Sequence, residues 1–130
     1  MNILFRADSS SKIGTGHIMR DLVLAKKYTN SNVIFATQNL DGNINHNIIE
    51  DGYKVKLLKS NGVNEVINLV KKLNIDLLII DNYECDYKYE KKLKKKTDIK
   101  ILVLDDTYEK HHCDILLNHN IYADIKNIKV

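Results

Sequence analysis

The sequence predicts an α/β domain: a Rossmann-like parallel sheet with helices on both faces. Apolar runs of strand length alternate with apolar stripes at helical spacing along the chain. The runs at residues 33–36, 75–80 and 99–104 are apolar almost without interruption, as expected of strands covered on both faces. The chain also opens in the order strand, glycine loop, helix, the unit from which such sheets are built.

Each element follows in turn. Residues 2–5 form a brief apolar strand, and Ile18, Leu22 and Ala25 then recur on one helix face, so the first helix starts near His17. Residues 32–37 carry Val33, Ile34, Phe35 and Ala36, a second strand. Asp41, Gly42 and Asn43 mark a turn, residues 44–50 a short helix closed by Gly52, and the alternation over 53–58 a strand nearer the sheet edge. Asn61 and Gly62 break the chain before Val63, Val66, Ile67, Val70 and Leu73, a helical stripe with Lys71 and Lys72 near its end. Residues 75–80 read as a central strand ending at Asp81. The lysine-rich segment 87–96 is helical, residues 99–104 form a buried strand ending at Asp105 and Asp106, and 115–117 add a last short strand. Right-handed crossovers connect the parallel strands.

At 130 residues the chain has the size of one domain, and 44% apolar with 28% charged residues is the balance of a globular protein. No apolar run approaches the roughly 20 residues of a membrane span, and no basic n-region precedes a hydrophobic stretch at the N-terminus, so a cytoplasmic protein with no membrane partner is expected. Cys85 and Cys113 lack CxxC spacing, which in that compartment points to reduced thiols. His111, His112 and Cys113 invite a metal reading, but adjacent side chains rarely converge on one ion and the spacing fits no zinc template; no metal site is expected. The net charge is +3. The one dense basic run, Lys91 to Lys96, has no aromatic platform beside it and reads as a solvated helix face, so no nucleic-acid partner is expected.

The chemistry concentrates in the loop from Arg6 to Asp21. Gly14 and Gly16 permit backbone conformations closed to other residues, and the helix after them points its unpaired N–H groups and positive pole into the loop, a setting for a phosphate or a developing anion. His17 falls in the first turn, where the dipole disfavours a positive charge and a neutral imidazole suits a general base. A histidine there can equally be a polar residue that closes a turn. Two familiar phosphate motifs fail. Met19 stands where a dinucleotide fingerprint needs its third glycine, Gln38 and Asn39 stand where it needs a ribose-binding acid, and no Gly-Lys-Ser or Gly-Lys-Thr occurs. No cofactor is expected.

Ligands of such sheets bind beyond the carboxyl ends of the strands. The loops there carry residues 8–16, then Gln38 and Asn39, then Asp81, Asn82 and Tyr83, then residues 105–108, then 118–120. Any one acid can be an ordinary strand-end cap, but polar residues converge on one rim. No proline, repeat or flexible linker interrupts the chain, and residues 121–130 show no periodic pattern.

The loop from Phe5 to Arg20 resembles that of the nucleotide-sugar hydrolases of pseudaminic acid biosynthesis, which release UDP from a 2,4-diacetamido-2,4,6-trideoxy sugar nucleotide. The resemblance continues through Asp81-Asn82-Tyr83, Asp105-Asp106-Thr107-Tyr108 and Cys113 to Asn118. It implies the N-terminal half of a two-domain glycosyltransferase-B-type architecture: a catalytic domain over residues 1–120, and at 121–130 the start of a linker to a missing C-terminal domain that holds UDP as an intramolecular partner. It implies His17 as catalytic base and a small-molecule UDP-sugar substrate, with Arg6, Asp8, Gly14, Thr15, Gly16, Arg20, Asp81, Tyr83 and Asp106 as the substrate-binding residues. Asp8 would orient His17 or a sugar hydroxyl, and Tyr83 would contact the sugar. Two other readings stay open, a glycosyltransferase of the same fold and a non-enzymatic domain that binds sugar nucleotides.

Overall fold

The computed structural model describes residues 1–104 and 110–117. In chain order they form β1 (Asn2–Ala7), α1 (Gly16–Ala25), β2 (Asn32–Gln38), α2 (Asn45–Glu50), β3 (Lys54–Leu58), α3 (Val63–Lys72), β4 (Leu77–Asp81), α4 (Tyr87–Lys96), β5 (Lys100–Leu104) and β6 (Ile115–Leu117). The strands make one sheet in the order β3-β2-β1-β4-β5-β6, and every pairing is parallel.

Successive strand side chains point to opposite faces, and both faces are buried. Ile3, Phe5, Val33, Phe35 and Ile79 face α1 and α2, where Ile18, Leu22 and Ile48 cover them. Phe5 and Phe35 stack with ring centroids 4.8 Å apart. Leu4, Ile34, Leu78, Ile80 and Ile101 face the other way, onto Val66, Ile67 and Val70 of α3 and Tyr89 and Leu93 of α4. The uninterrupted apolar runs of the sequence are thus two interleaved half-cores. The lysines of α4 lie away from its buried Tyr89, Glu90 and Leu93, and Lys88, Lys91, Lys92, Lys95 and Lys96 share one open surface.

The order of the strands reverses between β1 and β4, because the chain first builds outward through β2 and β3 and then returns to the other side of β1. A crevice opens beyond the carboxyl ends of strands at such a switch point. Ala7 and Asp81 are paired there, at the ends of β1 and β4. Among the described residues no helix is long and apolar enough to cross a membrane.

Candidate functional site

β1 ends on a buried charge. Arg6 is fully buried near the carboxyl end of the strand, where an unpaired guanidinium would be costly. The two-residue period puts Asp8 on the same side, and the two meet as a fork: Nη1 donates to Oδ1 at 2.8 Å and Nη2 to Oδ2 at 2.9 Å. Asp8 also accepts from the backbone N–H of Gln38 (2.7 Å), from Gln38 Nε2 (2.8 Å) and from Asn82 Nδ2 (3.1 Å). Arg6 Nη2 reaches Asn61 Oδ1 at 2.5 Å. One ion pair therefore gathers the end of β2 and the chain that follows β3 and β4. Burial pushes the Asp8 carboxyl up, but the hydrogen bonds and charge of Arg6, with the Gln38 donors, outweigh it and hold the group below its ordinary value. Nearby, burial pushes the Cys85 thiol up to about 12, which makes it an unreactive thiol at neutral pH.

The glycine loop is folded by its own polar atoms. Ser10 Oγ accepts from the N–H groups of Lys12 (3.2 Å) and Ile13 (2.9 Å), while Ser10 and Gly14 exchange backbone bonds of 3.3 and 2.8 Å, with Gly14 at φ 86°. The Gly14 N–H is thus spent inside the loop rather than offered to a ligand. Three bonds brace the loop on the β2–α2 connection: Ile44 N–H donates to Ser9 Oγ (2.9 Å), and Ser11 donates to the Asp41 carbonyl from its N–H (3.0 Å) and its hydroxyl (3.4 Å). Gly42 makes this close approach possible, since it sits at φ 79° and a Cβ there would stand 2.8 Å from Ser11 N. Gly42→Ala is therefore expected to cost roughly 1–3 kcal/mol, read as a lower Tm; an unchanged Tm would mean that the brace is slack.

α1 begins at Gly16, and the N–H groups of Gly16, His17 and Ile18 have no acceptor among the described residues, so the positive pole of the helix stays open. His17 is half-buried in that first turn, and its ring meets Tyr83 edge-on with centroids 5.0 Å apart. One turn on, Arg20 clamps α1 to the end of β4: Nε donates to Asp81 Oδ2 at 2.7 Å and Nη2 to Oδ1. Asp21 is fully buried beside this pair, and burial, then the negative charge of Asp81, push its carboxyl well above the ordinary range.

A cavity of about 340 Å³ opens over these strand ends, at the small end of the roughly 300–1,000 Å³ usual for ligand pockets. Of the residues the sequence singles out, Asp8, His17 and Tyr83 reach its wall. Arg6, Arg20 and Asp81 are buried in the two ion pairs, while Gly14, Thr15 and Gly16 form the loop end and the helix start. Asp106, with the rest of 105–109, lies outside the described residues, as do residues 118–130. The role foreseen for Asp8 meets a different geometry. Its hydrogen-bond partners among the described residues are Arg6, Gln38 and Asn82, and no bond to His17 is among them. The wall also contains Ile13, Gln38 and Asn82, which the sequence places on the rim without a binding role of their own, and Leu40, Asn61 and Glu84, which sequence reasoning did not select.

The other suggestive run goes elsewhere. His111 Nδ1 lies 2.6 Å from Glu90 Oε2, the His112 N–H donates to Glu90 Oε1 at 2.6 Å, the His112 ring meets Tyr87 edge-on, and Cys113 packs on the apolar core. Among the described residues no group of three or more histidine, cysteine or acidic side chains is placed to hold a metal ion.

This geometry can be set beside known proteins. The chain is 52% identical over 95% of its length to the UDP-2,4-diacetamido-2,4,6-trideoxy-beta-L-altropyranose hydrolase of Campylobacter jejuni subsp. jejuni. By sequence it is similar to a nucleotide-sugar hydrolase through nearly all its length. It spans 43% of that hydrolase, and 27% of an uncharacterized protein of Methanocaldococcus jannaschii to which it is 28% identical over 99% of its own length. No protein-family model matches the chain. Its fold is that of MurG from Acinetobacter baumannii, with a TM-score of 0.64 over 90% of this chain and 40% of that one at 10% identity, a likeness of architecture alone. MurG bears out the α/β, Rossmann-like reading of the sequence, and the hydrolase bears out the resemblance drawn from its loop.

Proposed function

We propose that this chain supplies the general base of a nucleotide-sugar hydrolase. One observation carries the reading: His17, in the first turn of α1, stands on the cavity wall with Tyr83 against its ring. The similarity to the Campylobacter hydrolase supplies the substrate, a UDP-linked 2,4-diacetamido-2,4,6-trideoxy sugar, and with it a place in pseudaminic acid biosynthesis. Water attacks the anomeric carbon, His17 takes its proton, and the bond from that carbon to the diphosphate oxygen breaks with its electron pair leaving on UDP. The helix pole faces the negative charge that builds on the departing diphosphate. Tyr83 contacts the sugar, and Arg20 with Asp81 fixes α1 so that the base keeps its place. The chain spans 43% of that hydrolase, and in this reading the uridine diphosphate is held by a C-terminal domain of the whole polypeptide.

The test is UDP release from that nucleotide, measured side by side on this chain and on the whole polypeptide its gene encodes. Release by the whole polypeptide, with free sugar as product, is expected. Release only when an acceptor alcohol is present, with the sugar found on the acceptor, would move the assignment to a transferase of the same fold. Release by neither would remove the enzymatic reading.

A further inference from the structure

The cavity wall holds hydrogen-bonding capacity that the network around Asp8 leaves unused. Gln38 gives one Nε2 hydrogen to Asp8, and its second hydrogen and its Oε1 have no partner among the described residues. Asn61 accepts at Oδ1 from Arg6 and Asn82 and donates from Nδ2 to Glu84 Oε2, so one Nδ2 hydrogen and Glu84 Oε1 also remain open. Asn82 differs. Both of its amide hydrogens go to neighbours, Asp8 and Asn61, and its Oδ1 accepts from the Glu84 N–H, so it is internal bracing.

Residues of the cavity wall therefore keep two donor–acceptor couples open, one within the Gln38 amide and one formed by Asn61 with Glu84. An acetamido group has the matching form: one N–H, one carbonyl and a methyl. Ile13 and Leu40 on the same wall offer apolar surface for methyl groups. A phosphate does not fit these couples. The Glu84 carboxylate would oppose it, and the Arg6 charge is already taken up by Asp8.

We propose that Gln38 and the Asn61–Glu84 couple are specificity-determining residues that read the acetamido substituents of the sugar, and that the Arg6–Asp8 pair is the positioning device behind them. The inference rests on the nucleotide-sugar reading above and adds which residues choose the sugar. A site built to hydrogen-bond an N–H or carbonyl rejects analogues that lack it, because its own polar groups are then left unpaired.

The experiment compares kcat/KM of the full-length enzyme for the diacetamido nucleotide and for the UDP-sugar of the same ring carrying hydroxyls at carbons 2 and 4. Glu84→Ala removes an exposed side chain, and Gln38→Met keeps length while removing the amide. The wild type is expected to prefer the diacetamido substrate, and each variant to narrow that preference by about tenfold or more. Glu84→Ala is the safe arm, since its Tm should stay at the wild-type value. An unchanged preference in folded variants, or an equal loss on both substrates, would overturn the inference while leaving the hydrolase reading in place. UDP release from neither substrate by the wild type would overturn the hydrolase reading and this inference with it.

Discussion

Replacing His17 with Asn is expected to lower kcat of the full-length enzyme by about 10²–10⁴-fold, the usual contribution of a positioned base. Asn keeps a polar side chain of similar reach in the first turn of α1 but cannot take a proton from water. The loss should fall on kcat more than on KM, because the proton moves only in the transition state. Stability should barely change. The imidazole is half-exposed and its recorded contact is the ring of Tyr83, so the shift should stay within roughly 0.5 kcal/mol, checked by thermal melting. Near-normal turnover in the variant would remove His17 from the mechanism.

The second large effect lies beneath the cavity. Asp8→Asn preserves the shape of the side chain but leaves the Arg6 guanidinium buried without its counter-charge, a change that costs about 3–5 kcal/mol when one partner of a buried pair is lost. For a domain of this size that corresponds to a fall in Tm of roughly 10–20 °C. The double variant Arg6→Met, Asp8→Leu should recover much of the loss, since it removes both charges together. It should not recover activity, because Gln38, Asn61 and Asn82 all bond to this pair and would lose their arrangement. The pair also sets an acid limit. Asp8 is held below the ordinary carboxylate value, so its contribution is complete above roughly pH 4, the value in the unfolded chain, and is lost as pH falls through the lower folded value. Thermal melts from pH 7 down to pH 2 should show this loss in the wild type and a flatter profile in Asp8→Asn.

Much of the fold was legible because burial on two faces leaves a mark that burial on one does not. Leu77 to Ile80 alternate between the two half-cores and are apolar at every step, so their strand could be read without knowing its neighbours. The stripe of α3 and the lysine-backed α4 were readable for a similar reason, since each has one buried side and one wet side. The place of His17 in the first turn of α1 was legible as well, because glycines before a helical pattern announce a helix start.

The floor of the site was harder to read. Arg6 and Asp8 stand two apart in a strand, which places them on one side, but only the surrounding sheet makes that side dry and turns the pair into a structural necessity. Asn61 was read with Gly62 as the break before α3, where it lies, while its side chain also turns toward Arg6 and Glu84. The available signal was position, since Asn61 follows β3 at the carboxyl edge of the sheet, where Gln38 ends β2 and Asn82 follows β4. Glu84 gave no signal, because an exposed acid after a strand is ordinary until the fold sets it beside a carboxamide.

The central claim is that water attacks the sugar carbon while UDP leaves intact, with His17 taking the proton. Turnover of the diacetamido nucleotide by the full-length enzyme in ¹⁸O-labelled water, with mass analysis of both products, tests it most directly. The account predicts label on the anomeric oxygen of the free sugar and none in UDP. Label in the terminal phosphate of UDP would place the attack at phosphorus and contradict it.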